Sequence, residues 1–203
     1  MASILHLDAS PRGERSHSRQ LTAEFVEGWK RLHPGDSVTY RDVGHYPPPH
    51  VTEAWVVGAY TPPQEHPADA RAAMQISDRL IDEFLAADRY VFGVPMHNFS
   101  VPSTFKAYVD QIVRVGRTFG ADGKGLVRDR KLLIITARGG DYTPGGPAAS
   151  FDLQEPWIRT IFGFIGLEDI RFVHAQGINQ GDSARAAGLE KARRQLAELL
   201  TKW

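Results

Sequence analysis

SILHLDASPRGERSHSRQL, residues 3–21, passes from an apolar run to a loop and then at once to a helical pattern. The run Ile4–Leu7 is of strand length. The loop holds Pro11, Gly13, the serines Ser10, Ser16 and Ser18, and four cations counting His17. Beyond it, residues 18–33 place Leu21, Phe25, Val26, Trp29 and Leu32 on one stripe of a helix. A short strand feeding directly into an amphipathic helix is the first half of a βα unit, so the fold turns on whether the pattern recurs.

It does recur. Further strand-length runs stand at SVTYRDV (37–43), RYVFGVPM (89–96), KLLIITA (131–137) and IRFVHAQ (170–176). The first, third and fourth of the five runs are nearly continuous in apolar residues, as strands covered on both faces are. Between them, residues 68–87 stripe Ala72, Ile76, Leu80 and Phe84, and residues 185–201 stripe Leu189, Leu196 and Leu200. The pattern predicts one α/β domain spanning 1–203, a doubly wound five-stranded parallel sheet with helices on both faces. Two stretches break the rhythm. Residues 45–67, HYPPPHVTEAWVVGAYTPPQEHP, are expected as a proline-punctuated excursion with a short helix near TEAWVVGAY, and residues 120–130 as a glycine-rich loop or hairpin.

Lys and Arg number 24 and Asp and Glu number 24, a balance that argues against nucleic acid as a partner and against a strongly acidic electron carrier. No run of about 18 apolar residues exists to span a membrane, and the N-terminus reaches Asp8 too soon for a signal-peptide core, so a cytoplasmic protein is expected. The chain has no cysteine, which removes thiolate chemistry, disulfides and thiolate metal sites together.

Ligands of open α/β sheets bind outside the carboxyl ends of the strands, where the strand order reverses. The loops after strands one, three and four are therefore the candidates. In the first, the free N–H groups of the helix start, the hydroxyls of Ser16 and Ser18, and Arg12, Arg15 and Arg19 suit a phosphate. The same serines equally suit an N-cap, and the loop alone leaves both readings open. A dinucleotide fingerprint is excluded because the loop has only Gly13, and GADGKGL has Gly125 where a Walker loop needs a hydroxyl. A cysteine phosphatase is excluded by composition.

The third loop, PMHNFSVPSTFKAYVDQIVRVGRTF (95–119), sets Met96, His97, Asn98 and Phe99 as a short ledge between Pro95 and Pro102. Such a ledge offers backbone groups to a ring edge and apolar side chains to a ring face. Phe105, Val109 and Ile112 would line the following helix, with Lys106, Asp110 and Arg114 as an i, i+4 charge ladder. Singly, Met96, Phe99 and His97 also read as core packing and a satisfied histidine. In the fourth loop, Arg138, Gly139 and Gly140 allow a close backbone approach by a planar ligand, or form a surface turn.

SPRGERSHS, the 95–119 stretch and TARGGDY (136–142) together resemble the FMN-dependent NADH-azoreductases, flavodoxin-like quinone and azo-dye reductases, and the resemblance extends over essentially the whole chain. It implies that Ser10, Ser16, His17 and Ser18 hold the FMN phosphate. It implies that Met96, His97, Asn98 and Phe99 lie along the isoalloxazine, with Arg138, Gly139 and Gly140 near its pyrimidine end. Phe119 and Tyr142 would lie by the open face, where NADH or NADPH and then a quinone or azo acceptor bind in ping-pong order, and Tyr142 or His97 would supply protons. The family is homodimeric, with one FMN per subunit and each pocket finished by the partner. Two positions depart from the pattern: His97 stands where tyrosine is usual, and Ala137 where a serine commonly precedes RGG. A protonated His97 would favour negative charge on a reduced ring. The competing readings are a nitroaromatic or flavin reductase and a flavodoxin-type carrier without its own substrate. His45 and His50, flanking prolines with no carboxylate cluster, do not read as a metal site.

Overall fold

Alternation along β1 (Ser3–Asp8) decides which layer each helix joins. Leu5 and Leu7 face one way and Ile4 the other, so the strand is apolar on both sides. The computed structural model describes residues 1–203. Its five strands, β1, β2 (Ser37–Asp42), β3 (Arg89–Gly93), β4 (Lys131–Ala137) and β5 (Asp169–Ala175), pair in parallel in the order β2-β1-β3-β4-β5. On one face, α1 (His17–Leu32) and α6 (Asp182–Leu200) bury Leu21, Phe25, Trp29 and Leu196 against Ile4, Val91 and Leu133. On the other, α3 (Ala68–Ala86), α4 (Ser103–Ile112) and α5 (Gln154–Phe164) bury Phe84, Phe105, Tyr108 and Phe162 against Leu5, Phe92 and Leu132. The short α2 (Glu53–Tyr60) lies in the 45–67 excursion, capped by the Thr52 hydroxyl, which accepts the Trp55 N–H. No helix is long and apolar enough to cross a membrane.

Three details differ from the sequence reading. First, α5 was not expected. Its stripe of Ile158 and Phe162 is short and interrupted by Pro156 and Gly163, but Pro156 sits in the first turn, where its missing N–H costs little. Second, β3 ends at Gly93 rather than running to Met96. Beyond Gly93 the chain leaves β1 and, of the strands, stays bonded to β4, through Val94 N–H to Ile135 O and Met96 N–H to Ala137 O, both 3.0 Å. Third, α4 stops at Ile112, so Arg114 does not extend the ladder that Lys106 and Asp110 form at 2.6 Å. Arg114 is instead buried against α3, paired with Asp78 and donating to the Ser77 hydroxyl at 2.8 Å.

The peeling of β3 from β1 opens a gap at the point where the strand order reverses. One wall of that gap is the start of α1, and Arg19 fixes it. Its guanidinium donates to the Ser10 carbonyl at 2.8 and 2.6 Å and to both Asp42 oxygens at 2.8 and 2.5 Å. Arg19, offered by the sequence as a phosphate-binding cation, is therefore occupied in tying the loop to β2. Burial raises the Asp42 carboxyl, but hydrogen bonds from Arg19 and from the His45 N–H and ring outweigh it and hold it at about 2.

A carboxyl lowered from 3.8 to about 2 on folding adds stability that is complete above pH 4 and lost as pH falls toward 2. Asp42→Asn is expected to cost about 1–2 kcal/mol at pH 7, discounted for solvent screening. Urea unfolding at several pH values checks this, the gap between variant and wild type closing as the pH approaches 2.

Candidate functional site

Residues from four strand ends meet at the reversal point. A cleft of about 210 Å³ is lined by Ser10, Arg12, Ser16 and His17 after β1, by Pro95, Met96 and His97 after β3, by Ala137 and Gly139 at β4, and by Ile178 and Asn179 after β5. Larger hollows, about 630 Å³ beside α1 and β2 and about 460 Å³ between α2 and α3, are lined by charges already paired with one another, Arg19 with Asp42 and Arg114 with Asp78. The small cleft differs in having unpaired donors.

Those donors sit where α1 begins. The N–H groups of His17 and Ser18 have no partner in the chain, and His17 Nδ1 is buried without one. Ser16 is the N-cap, accepting the Arg19 N–H at a long 3.4 Å, and its hydroxyl also meets that of Ser18 at 3.1 Å. The cap and the cradle are thus one residue: Ser16 faces both the helix end and the cleft. Ser18 is fully buried behind it and does not line the cleft; its unpaired N–H lies at the same helix start. Ser10, also buried, accepts the Arg12 N–H at 3.3 Å. Free N–H groups, two hydroxyls and an exposed Arg12 at a helix start form a site for an anion.

Opposite stands the 96–99 ledge. His97 N–H to Ser100 O at 3.0 Å and Ser100 N–H to His97 O at 2.9 Å close a two-residue turn whose central residues, Asn98 and Phe99, have φ of 47° and 67°. Positive φ at both positions is a type I′ turn, in which asparagine is at home and phenylalanine is not. The Phe99 ring is about half exposed and rests on Phe151, 5.3 Å between centroids, and edge-on to Tyr142 at 6.4 Å. Desolvation lowers the His97 pKa, which favours the neutral ring. The protonated imidazole entertained from sequence is not the form that this position favours.

Of the other sequence candidates, Gly139 lines the cleft, and a Cβ there would stand 2.7 Å from the Asn179 amide. The N–H groups of Gly139 and Gly140 are unpaired, while their carbonyls accept from Asn179 and Gly177. Arg138 points away. Its side chain, 1% exposed, lies on the α5 side of β4 and donates to Thr136 at 3.1 Å and to Asp152 at 2.7 Å. Phe119 lies farther still, packed at 4.9 Å on Phe164, the last residue of α5, whose first residue binds the carbonyls of Val94 and Pro95. Phe119 thus packs at the opposite end of α5 from Gln154 and does not line the cleft. Ile178 and Asn179, in the loop after β5, join the three loops that the sequence singles out, and the signal for them is their place at a strand's carboxyl end.

A flavodoxin-like fold family matches residues 2–200. An FMN-dependent NADH:quinone oxidoreductase of Nostoc punctiforme is 55% identical over the full length of both chains, and one of Azotobacter vinelandii is 42% identical over 98% of this chain and all of its own. The chain belongs to this flavodoxin-like family of FMN-dependent NADH:quinone oxidoreductases. Among solved structures, an azoreductase from Bacillus anthracis superposes over the whole of both chains with a TM-score of 0.92 at 28% identity. A second one from that organism, an FMN-dependent NADH-azoreductase in complex with FMN, is 24% identical and shares the fold with a TM-score of 0.89.

The strained turn gives the site a measurable signature. Phe99→Gly is expected to be more stable than Phe99→Ala by about 1 kcal/mol, because only glycine adopts φ near 67° without steric cost. Chemical unfolding of the two variants tests this, and the opposite order would mean that the turn is unstrained.

Proposed function

We propose that this protein is an FMN-dependent oxidoreductase that moves two electrons from NADH or NADPH to quinones and azo compounds, as a cytoplasmic homodimer with one FMN per subunit. The observation that carries the reading is a helix start with unpaired N–H groups at His17 and Ser18, whose Ser16 and His17 line one cleft together with Met96 and His97 of the ledge. The orphaned His17 Nδ1 and the Ser10 and Ser16 hydroxyls fit a phosphate, and the ledge fits a flat ring beyond it. In this reading the helix start holds the phosphate, Met96, His97, Asn98 and Phe99 flank the ring, and the free N–H groups of Gly139 and Gly140 meet its pyrimidine edge.

Bound FMN supplies the two-electron chemistry; the residues supply grip, orientation and polarity. Unpaired N–H donors beside the ring are preorganised for negative charge and need no reorganisation when it develops. In the neutral form that desolvation favours, the His97 ring offers one N–H donor and one acceptor nitrogen rather than a charge. Tyr142, edge-on to Phe99, stands where an acceptor would stack and has a phenolic proton to give. Donor and acceptor share that open side and exclude one another, which makes the sequence ping-pong. Phe119, packed on Phe164 at the far end of α5 and absent from its own cleft, would join a site from a second copy. This is the role in which a homodimer completes the pocket.

The test is anaerobic: protein loaded with FMN is mixed with NADH, then with a benzoquinone. Bleaching followed by full recovery is expected, with parallel double-reciprocal plots in the steady state. Protein that takes up no FMN would refute the proposal, and bleaching without recovery on quinone would turn it into an electron carrier. Ser16→Ala is expected to raise the FMN dissociation constant more than about tenfold, for a loss near 1 kcal/mol in unfolding free energy. Equal losses in binding and folding would return Ser16 to capping alone.

A further inference from the structure

The type I′ turn at 97–100 does not hold itself. Its two internal hydrogen bonds leave a phenylalanine in the left-handed region, a conformation that persists only where surrounding structure over-determines it. The external hold comes from the segment that leads into α5. The Phe99 carbonyl accepts the Leu153 N–H at 3.1 Å, and the Phe99 ring packs on Phe151. One residue on, the Gln154 amide donates to the carbonyls of Val94 at 3.0 Å and Pro95 at 3.1 Å, immediately before the ledge. Residues 151–154 therefore hold three backbone carbonyls, Phe99 in the ledge and Val94 and Pro95 just before it.

That segment is itself tied down at one point. Asp152 Oδ1 accepts the N–H groups of Gln154 and Glu155, both at 3.1 Å, and its Oδ2 accepts Arg138 Nη1 at 2.7 Å. Arg138 is 1% exposed and rooted at the end of β4 by its bond to Thr136. The line from the sheet to the ledge is continuous: Thr136, Arg138, Asp152, Gln154 with Leu153, then Pro95 and Phe99. It approaches the ledge from the α5 side, the side away from the cleft.

We propose that Arg138 and Asp152 are a positioning pair that sets the 97–100 turn from behind, without contact with the cofactor. The proposal rests on the reading of the ledge as the flavin platform, and it departs from the expectation that Arg138 lies along the pyrimidine end. A planar guanidinium is suited to the task because it bonds Thr136 and Asp152 together, which a lysine ammonium reaches less well.

The variants are Arg138→Gln, Arg138→Lys, Asp152→Asn and the Gln/Asn double. In FMN-free protein, Arg138→Gln and Asp152→Asn are each expected to speed exchange of the bonded amides of His97 and Ser100 by about tenfold, with β3 and β4 unchanged. Each should also raise the FMN dissociation constant about tenfold, with no further rise in the double variant, and Arg138→Lys should restore part of the loss. Unaltered exchange at His97 and Ser100 in a folded variant, or additive losses in the double, would overturn the proposal. Should Arg138→Gln not fold, the half-buried Asp152→Asn carries the same test. Exchange in FMN-free protein is read whether or not the wild type takes up FMN, so failure of the cofactor reading and failure of the positioning pair give different results.

Discussion

Asn98 and Phe99 occupy backbone conformations that cost a non-glycine residue roughly 1–2 kcal/mol each, less for asparagine, and the surroundings are arranged to hold them there. The constraint decides the geometry of the candidate site. Because β3 leaves β1 after Gly93, the chain must turn sharply within a few residues to start α4 at Ser103. A two-residue turn does so and leaves Met96 and His97 facing the cleft. A relaxed, longer loop would release the chain and lose the flat edge.

The facing wall is fixed by a different device. Arg19 clamps the Ser10 carbonyl to Asp42, which sets the loop before α1 and leaves the N–H groups of His17 and Ser18 directed outward and unpaired. A flavodoxin-like sheet places these two walls side by side because β1 and β3 are neighbours where the strand order reverses. One wall is electropositive and suits an anion; the other is strained, part apolar, and suits a ring. The proposed activity needs both, and it needs an open side for two substrates in turn.

Much of this was legible in the residue pattern. Strands buried on both faces announce themselves as continuous apolar runs, and β1, β3 and β4 did so, while α1 and α3 showed clean stripes. The helix α5 escaped because Pro156 and Gly163 disguise a short stripe that only packing against Phe92 and Phe105 makes stable. Three arginines were harder. Arg19, Arg114 and Arg138 each sit in sequence beside a ligand motif or charge ladder, yet each is spent on a carboxylate from a distant segment, Asp42, Asp78 and Asp152. Side-chain direction at the end of a strand follows the pleat, and partners across the fold leave no local trace. The strain at Phe99 was equally invisible, since Asn-Phe is not a turn sequence that propensity would select.

The account stands on the claim that one flavin mononucleotide bridges the two walls of this cleft. A crystal structure of the protein with FMN tests it most directly. The account predicts the phosphate on the N–H groups of His17 and Ser18 and the Ser16 hydroxyl, and the ring edge along residues 96–99 with the turn's positive φ values retained. FMN bound elsewhere, or a turn that relaxes out of the left-handed region when FMN binds, would contradict it.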